Sequence, residues 1–226
     1  LLDSLGATPH ILTPRPSTVE VMADYILANP RANASLDALR RKYVEGEPGA
    51  ILCIEFAGDD ARELQDRMSA LSDDLASRCM GYAWRQETDP AAQQQIWGLR
   101  EAALGLSMAV PGDAKAISFV EDTAVAPEKL RDFIDEFLAI IARHGTEAGI
   151  YAHASVGCLH VRPVVNMKTE AGIRQFEAIA SDVADLVLRY GGALSAEHGD
   201  GLVRSPFLEK MFGPDLYQAF REVKQA

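Results

Sequence analysis

Apolar positions along the chain recur in two rhythms, and the switches between them lay out strands and helices. Residues 50–56, Ala50-Ile51-Leu52-Cys53-Ile54-Glu55-Phe56, form a short apolar run closed by Gly58 and predict a buried strand. Asp59-Asp60 can cap the helix that follows, where Leu64, Met68, Leu71 and Leu75 mark one face. Asp89-Pro90 reads as an N-cap and a first-turn proline, opening a helix through Ile96, Trp97 and Arg100, with Arg100 near its end. After Pro127 an apolar stripe of Leu130, Phe133, Ile134, Phe137, Leu138 and Ile141 predicts another helix. Residues 150–153 and 159–166 predict a strand pair around Gly157. Thr169 can cap a long helix through Ile173, Phe176, Ala180, Val183 and Val187, which Gly191-Gly192 ends. A glycine-bearing loop, 195–201, leads to a last helix from about Pro206.

Other stretches carry a weaker pattern. Residues 1–16 hold Pro9, Pro14 and Pro16 and predict an irregular lead-in. Residues 17–28 and 35–44 predict two helices broken by Asn29-Pro30, and 79–85 and 117–120 predict strands. The resulting order of strand–helix–strand units predicts an α+β fold over 17–226. It is of ferredoxin-like type, an antiparallel sheet with helices packed on one face and extra helices at both ends. No Gly-x-Gly-x-x-Gly turn follows a strand and no Walker phosphate loop is present, which argues against a Rossmann or P-loop nucleotide site.

Composition narrows the function classes. The 226 residues are 48% apolar, enough to bury a core. Twenty-two basic against 33 acidic residues give a net charge of −11, which disfavours a phosphate backbone as partner. No apolar run reaches the roughly 18–20 residues of a membrane helix, and nothing reads as a signal peptide. Cys53, Cys79 and Cys158 are far apart and odd in number. That suits a reducing, cytoplasmic compartment, with a peripheral place at the inner face of a membrane still open. A start at Leu1-Leu2 and a stop at Gln225-Ala226 inside a helical pattern lead us to expect a piece of a longer protein.

Candidate chemistry concentrates in two short segments. His153 and His160 stand seven apart, an odd separation that on one continuous strand puts them on opposite faces. A turn around Ser155, Val156 and Gly157 resets the alternation and brings both rings to one side, as ligands for a divalent metal. Two surface histidines beside a hairpin turn is the competing reading. In the second segment, Ser195-Ala196-Glu197-His198-Gly199-Asp200-Gly201, Glu197 offers a carboxylate ligand and His198 a neutral base. A His, His, Glu set with a free coordination position is the pattern of a catalytic site. Cys158 is either a fourth ligand or a packed thiol. Arg100 is a candidate clamp for a carboxylate, and Lys115, Arg162 and Arg204 are candidate sources of positive potential. For each of these four the ordinary alternative is a solvated surface cation. His10 and His144 are isolated, His144 near a helix end.

Taken together, His153-x6-His160, the run Gly191-Gly192-Ala193-Leu194-Ser195-Ala196-Glu197-His198-Gly199-Asp200-Gly201, Trp97-x-x-Arg100-Glu101 and Phe119-Val120-Glu121-Asp122-Thr123-Ala124-Val125 resemble the C-terminal domain of FAD-linked oxidases. This is the group of glycolate oxidase subunits, D-lactate dehydrogenases and D-2-hydroxyglutarate dehydrogenases in the vanillyl-alcohol-oxidase superfamily. The resemblance runs from about residue 16 onward. It implies an FAD-dependent dehydrogenase or oxidase of 2-hydroxy acids, with the flavin bound mainly by an N-terminal domain outside this chain. It also implies His153, His160 and Glu197 as ligands of a divalent metal, often zinc. His198 would be the base and Arg100 the holder of the substrate carboxylate, with Lys115 a looser second. The family usually shows His-x-Gly-Asp-Gly-Asn-x-His; here the interior is Ala154-Ser155-Val156-Gly157-Cys158-Leu159. That form resembles large bacterial members with an iron–sulfur domain after this one, so an iron–sulfur domain or subunit is an implied partner. Two rival functions are a metal-dependent hydrolase assisted by Glu121 or Asp122, and a non-catalytic ferredoxin-like binding module.

Overall fold

The computed structural model describes residues 1–28, 33–107 and 112–226. In chain order the elements are α1 (Leu2–Ile11), β1 (Thr18–Ala23), α2 (Asp24–Ala28), α3 (Ala34–Tyr43), β2 (Ala50–Glu55), α4 (Ala61–Ser77) and α5 (Pro90–Ser107). There follow β3 (Lys115–Ala116), β4 (Thr123–Ala124), α6 (Leu130–Arg143), β5 (Ala148–His153), β6 (Cys158–Val165), α7 (Glu170–Arg189), α8 (Gly201–Arg204) and α9 (Leu208–Gln225). The sheet runs β2-β1-β5-β6-β3, with β4 also on β6, and every pairing is antiparallel. The α+β expectation therefore holds, with additional helices α1 and α9 at the two ends.

The period-two alternation of the central strands gives the sheet two different faces. Val19, Val21, Ile150, Ala152, Leu159, Val161 and Val165 lie in one core with Leu130, Phe133, Ile134, Phe137 and Ile141 of α6 and Ile179, Val183, Leu186 and Val187 of α7. Each Val, Leu, Ile or Phe among them contributes roughly 1.5–3 kcal/mol by leaving water, so this face is the stable floor of the molecule. The intervening positions, Glu20, Tyr151, His153, Cys158, His160 and Arg162, emerge on the other face. Strand register sets them side by side: Glu20 opposite His153, Tyr151 opposite His160, and His153 opposite Cys158. Helix α5 and the 195–200 loop reach over this polar face.

Helix starts agree with the capping residues. Asp60 accepts from the amides of Arg62 and Glu63, Asp89 from Ala91 and Ala92, and Thr169 from Gly172. Four expectations need correction. Residues 1–16 are not an irregular lead-in: α1 occupies Leu2–Ile11 despite Pro9 inside it, because Leu5, Ala7 and Ile11 are buried in the core beside α6. Residues 17–28 are not one helix but β1 followed by the short α2, since Val19 and Val21 pair across the sheet core while Glu20 and Met22 face the other way. Residues 79–85 form no strand; they are a connection in which Cys79 takes φ 55° and the Trp84 indole bonds the Met80 carbonyl. Residues 117–120 form no strand: Ile117 still donates to the Pro163 carbonyl, but 118–120 bend, and the strands fall on either side, in β3 and β4. The expected break at Asn29-Pro30 lies outside the described residues.

Candidate active site

The turn that brings the two histidines together rests on one glycine. After β5 the chain makes a single 3-10 turn, Ala154–Val156, and Gly157 reverses it with φ 73°. A side chain at Gly157 is excluded twice over, by that backbone conformation and because a Cβ would stand 1.8 Å from the Val125 carbonyl oxygen. Closure of the hairpin pairs His153 with Cys158 and thereby puts His153 on the same face as His160. The two imidazoles meet edge to face, centroids 4.9 Å apart. The turn thus puts both rings on one face, with His160 buried and His153 partly exposed.

A second loop delivers Glu197 and His198 to the same place, and a buried carboxylate holds it there. Asp122, in the left-handed region at φ 73°, accepts from the Ser195 hydroxyl at 2.5 Å, the Glu197 amide at 2.9 Å and the His198 amide at 3.0 Å. Its own carbonyl takes the Ala196 amide. Arg204 is buried beneath the loop, donating to the carbonyls of Gly199 and Glu121. Glu197 Oε1 then lies 3.1 Å from His160 Nε2, 3.5 Å from His153 Nε2 and 3.3 Å from His198 Nε2. The other ring nitrogen of His198 stands 3.8 Å from Glu121.

Charge and burial give the three rings different surroundings. Burial pushes the His160 imidazole down to about 4, helped by the neighbouring His153, so it is neutral at physiological pH. The Glu20 carboxylate, 2.5 Å from His153 Nδ1, raises His153 above its ordinary value against the opposing effect of burial. His160 stacks on Tyr151, whose hydroxyl is pushed up to about 12, chiefly by burial. His198 is the more exposed ring, at 43% of its side-chain surface, and so can meet a molecule arriving from outside.

The donor set fits a divalent cation. A tetrahedral shell with bonds of roughly 2.0–2.2 Å has edges of about 3.3–3.6 Å, and the carboxylate–imidazole separations of 3.1 and 3.5 Å approximate them. Ligand atoms of His153, His160 and Glu197 all lie within 4.8 Å of one another. Two imidazole nitrogens and one carboxylate suit zinc and its neighbours better than calcium or magnesium. Cys158 sits at 3.7 Å from both His160 Nε2 and Asp122 Oδ1, and its thiol is pushed up to about 12, first by burial and then by the nearby carboxylates. That is a packed, protonated thiol.

The remaining expected residues divide. Arg100 lies well inside α5 rather than near its end, and its Nη2 stands 3.0 Å from Glu20 with the guanidinium 5.1 Å from the Tyr151 ring centroid. Arg162 joins the same cluster, 2.6 Å from Glu121 and on the other side of the site from Glu20. Lys115 is elsewhere along the sheet, in β3 opposite Val165, at the far end of β6 from Cys158. Arg204 is a structural prop rather than a source of surface potential. His10 pairs with Asp74, and His144, at the end of α6, with Asp182 at 2.9 Å. Sequence reasoning missed Glu20 altogether and gave Asp122 no part in the loop. The one usable signal for Glu20 was a lone acid between Val19 and Val21, the mark of a strand with a polar face.

This fold and sequence have known counterparts. Residues 6–226 match the family model for FAD linked oxidases, C-terminal domain, and the chain belongs to that family. It is 32% identical over 231 residues to a D-2-hydroxyglutarate dehydrogenase of Haemophilus influenzae, covering 98% of this chain and 22% of that protein. It is 34% identical over 232 residues to a D-2-hydroxyglutarate dehydrogenase of Escherichia coli, covering 99% and 23%. A D-lactate dehydrogenase of Archaeoglobus fulgidus shares 29% over 117 residues, 52% of this chain and 26% of that one. The chain thus spans under a quarter of the length of the first two relatives. Among solved structures, a 4-ethylphenol oxidase from Gulosibacter chungangensis in complex with isoeugenol superposes with a TM-score of 0.62 at 12% identity, over 97% of this chain and 47% of that one. That likeness is one of fold.

Proposed function

We propose that this chain is the substrate- and metal-binding part of an FAD-dependent dehydrogenase of 2-hydroxy acids, of the D-2-hydroxyglutarate, D-lactate or glycolate type. The observation that carries the reading is the convergence of His153, His160 and Glu197 with His198 beside them. His153, His160 and Glu197 would hold a divalent ion, zinc by the chemistry of the donors, which lowers the pKa of a ligated hydroxyl. The flavin, held mainly by an N-terminal domain outside this chain, supplies the two-electron acceptor.

The chain's own residues do the rest. Arg100 binds the substrate carboxylate and so orients the α-carbon for loss of its hydrogen as hydride. Lys115 is the second candidate for an anionic group. His198 takes the hydroxyl proton on whichever nitrogen faces the substrate, and Glu121 steadies the imidazolium that results. Stacked Tyr151 and buried His160 exclude water from the floor of the site. An iron–sulfur domain or subunit is the partner that would carry electrons onward. No helix among the described residues is long and apolar enough to cross a membrane.

The hydrolase alternative loses its assisting groups, because Glu121 is engaged by Arg162 and Asp122 by the amides of the 195–198 loop. The test is His198→Ala in the complete protein. Turnover should fall by roughly 10²–10⁴-fold with metal content retained; unchanged turnover on 2-hydroxy acids refutes the base role.

A further inference from the structure

Glu20 is a buried acid on the polar face of the sheet, 6% exposed in the second strand from the edge, and both of its carboxylate oxygens are in use. Oε1 stands 2.5 Å from His153 Nδ1, and Oε2 stands 3.0 Å from Arg100 Nη2. The β1–β5 register, Glu20 opposite His153, sets the first contact through the backbone rather than through a flexible loop. The second spans from β1 to α5, so one side chain ties together two elements that are otherwise far apart in sequence.

We infer that Glu20 is a positioning residue that locks the metal site to the carboxylate clamp. The inference rests on the functional reading above and adds to it how the two parts are held in fixed relation. A hydrogen on Nδ1 donated to Glu20 leaves Nε2 as the free lone pair of His153, and Nε2 is the nitrogen 3.5 Å from Glu197. The same carboxylate supplies Arg100 with a fixed anionic partner, which sets the orientation of the planar guanidinium against the Tyr151 ring. A buried carboxylate with only one of these partners would be costly; with both it is a rigid bridge. His153 and Arg100 therefore cannot shift independently, and the distance between bound metal and bound carboxylate is fixed before substrate arrives.

The experiment is zinc competition against a chromophoric chelator in the full chain, comparing wild type, Glu20→Gln, Arg100→Met, the Glu20→Gln/Arg100→Met pair and His153→Ala/His160→Ala. Glu20→Gln should bind zinc about 10–100-fold more weakly than wild type, and removing Arg100 as well should not restore it. Equal affinity in wild type and Glu20→Gln overturns the inference while leaving the ligand assignment standing. Recovery in the Glu20→Gln/Arg100→Met pair overturns it too, because Glu20 would then serve only to neutralise Arg100. Wild type binding no better than His153→Ala/His160→Ala overturns the functional reading and the inference with it. A long-range proton–nitrogen NMR spectrum of the wild-type chain gives a check that needs no variant to fold. With zinc bound it should show His153 protonated at Nδ1 and bare at Nε2, and the reverse tautomer refutes the bridge.

Discussion

Replacing Asp122 with Asn changes almost no volume and tests whether this carboxylate organises the Glu197–His198 loop. Three donors converge on it, the Ser195 hydroxyl and the Glu197 and His198 amides. Bonds to a charged acceptor contribute about 1.5–3 kcal/mol each, against about 1 kcal/mol for a neutral one, and a stranded donor costs about 1–3 kcal/mol. In Asp122→Asn one oxygen becomes an NH₂ group. The Ser195 hydroxyl can rotate to accept from it, but a backbone amide cannot. One lost amide bond and weakening of the others give an expected destabilisation of about 2–4 kcal/mol. Urea unfolding at neutral pH measures it, with an unchanged m-value showing that the native and denatured states remain comparable. The Glu197 and His198 amides should also exchange faster with solvent. Burial opposes the charge of Asp122, yet the Ser195 hydroxyl and the two amides outweigh it and hold the carboxyl below its ordinary 3.8. Its contribution is therefore present above that value and lost as pH falls through the lower native one, so the variant should have a shallower acid limb below about pH 4. A variant within 0.5 kcal/mol of wild type by the ~1 kcal/mol scale of single bonds, with unaltered exchange at both amides, refutes the reasoning.

Further outcomes follow from the same geometry. Gly157→Ala meets both a positive φ and the Val125 carbonyl, so thermal unfolding should show a loss of more than about 1 kcal/mol; an unchanged Tm contradicts the hairpin argument. His160 has its native pKa depressed to about 4 from 6.5, so without metal its contribution is whole above 6.5 and is lost as pH falls toward 4, by up to about 3 kcal/mol. His153 is shifted upward and works in the other direction, stabilising below its unfolded pKa and losing that as pH rises through the native one. The difference between wild type and His160→Gln in chelator isolates the first effect, and parallel pH–stability curves for the two refute it. Arg100→Ala in the complete protein should raise KM for carboxylate substrates at least tenfold by the ~1.4 kcal/mol-per-decade scale; an unaltered kcat/KM counts against the clamp.

Much of the fold was legible because long apolar stripes and caps speak locally. The stripes of α4, α6 and α7 and the caps at Asp60, Asp89 and Thr169 each sit within one element. The misread segments are those where tertiary contacts override local pattern. Pro9 signals a break, but burial of Leu5 and Ile11 holds α1 together. In 17–28, a six-residue strand followed at once by a short helix offers too few repeats for the period of two to stand out. The site divides in the same way. His153, His160, Glu197 and His198 belong to two compact motifs and could be singled out from sequence. Glu20 lies 133 residues from His153 and Asp122 lies 75 from Glu197. Only the strand register and the path of the loop place them, so no local spacing announces either.

The central claim is that His153, His160 and Glu197 form one metal site on the polar face of the sheet. Titration of the full chain with zinc, read by equilibrium dialysis and elemental analysis, tests it most directly. The account predicts one tightly held equivalent in wild type, and its loss in His153→Ala/His160→Ala and in Glu197→Ala. Equal zinc content in wild type and these variants contradicts the account.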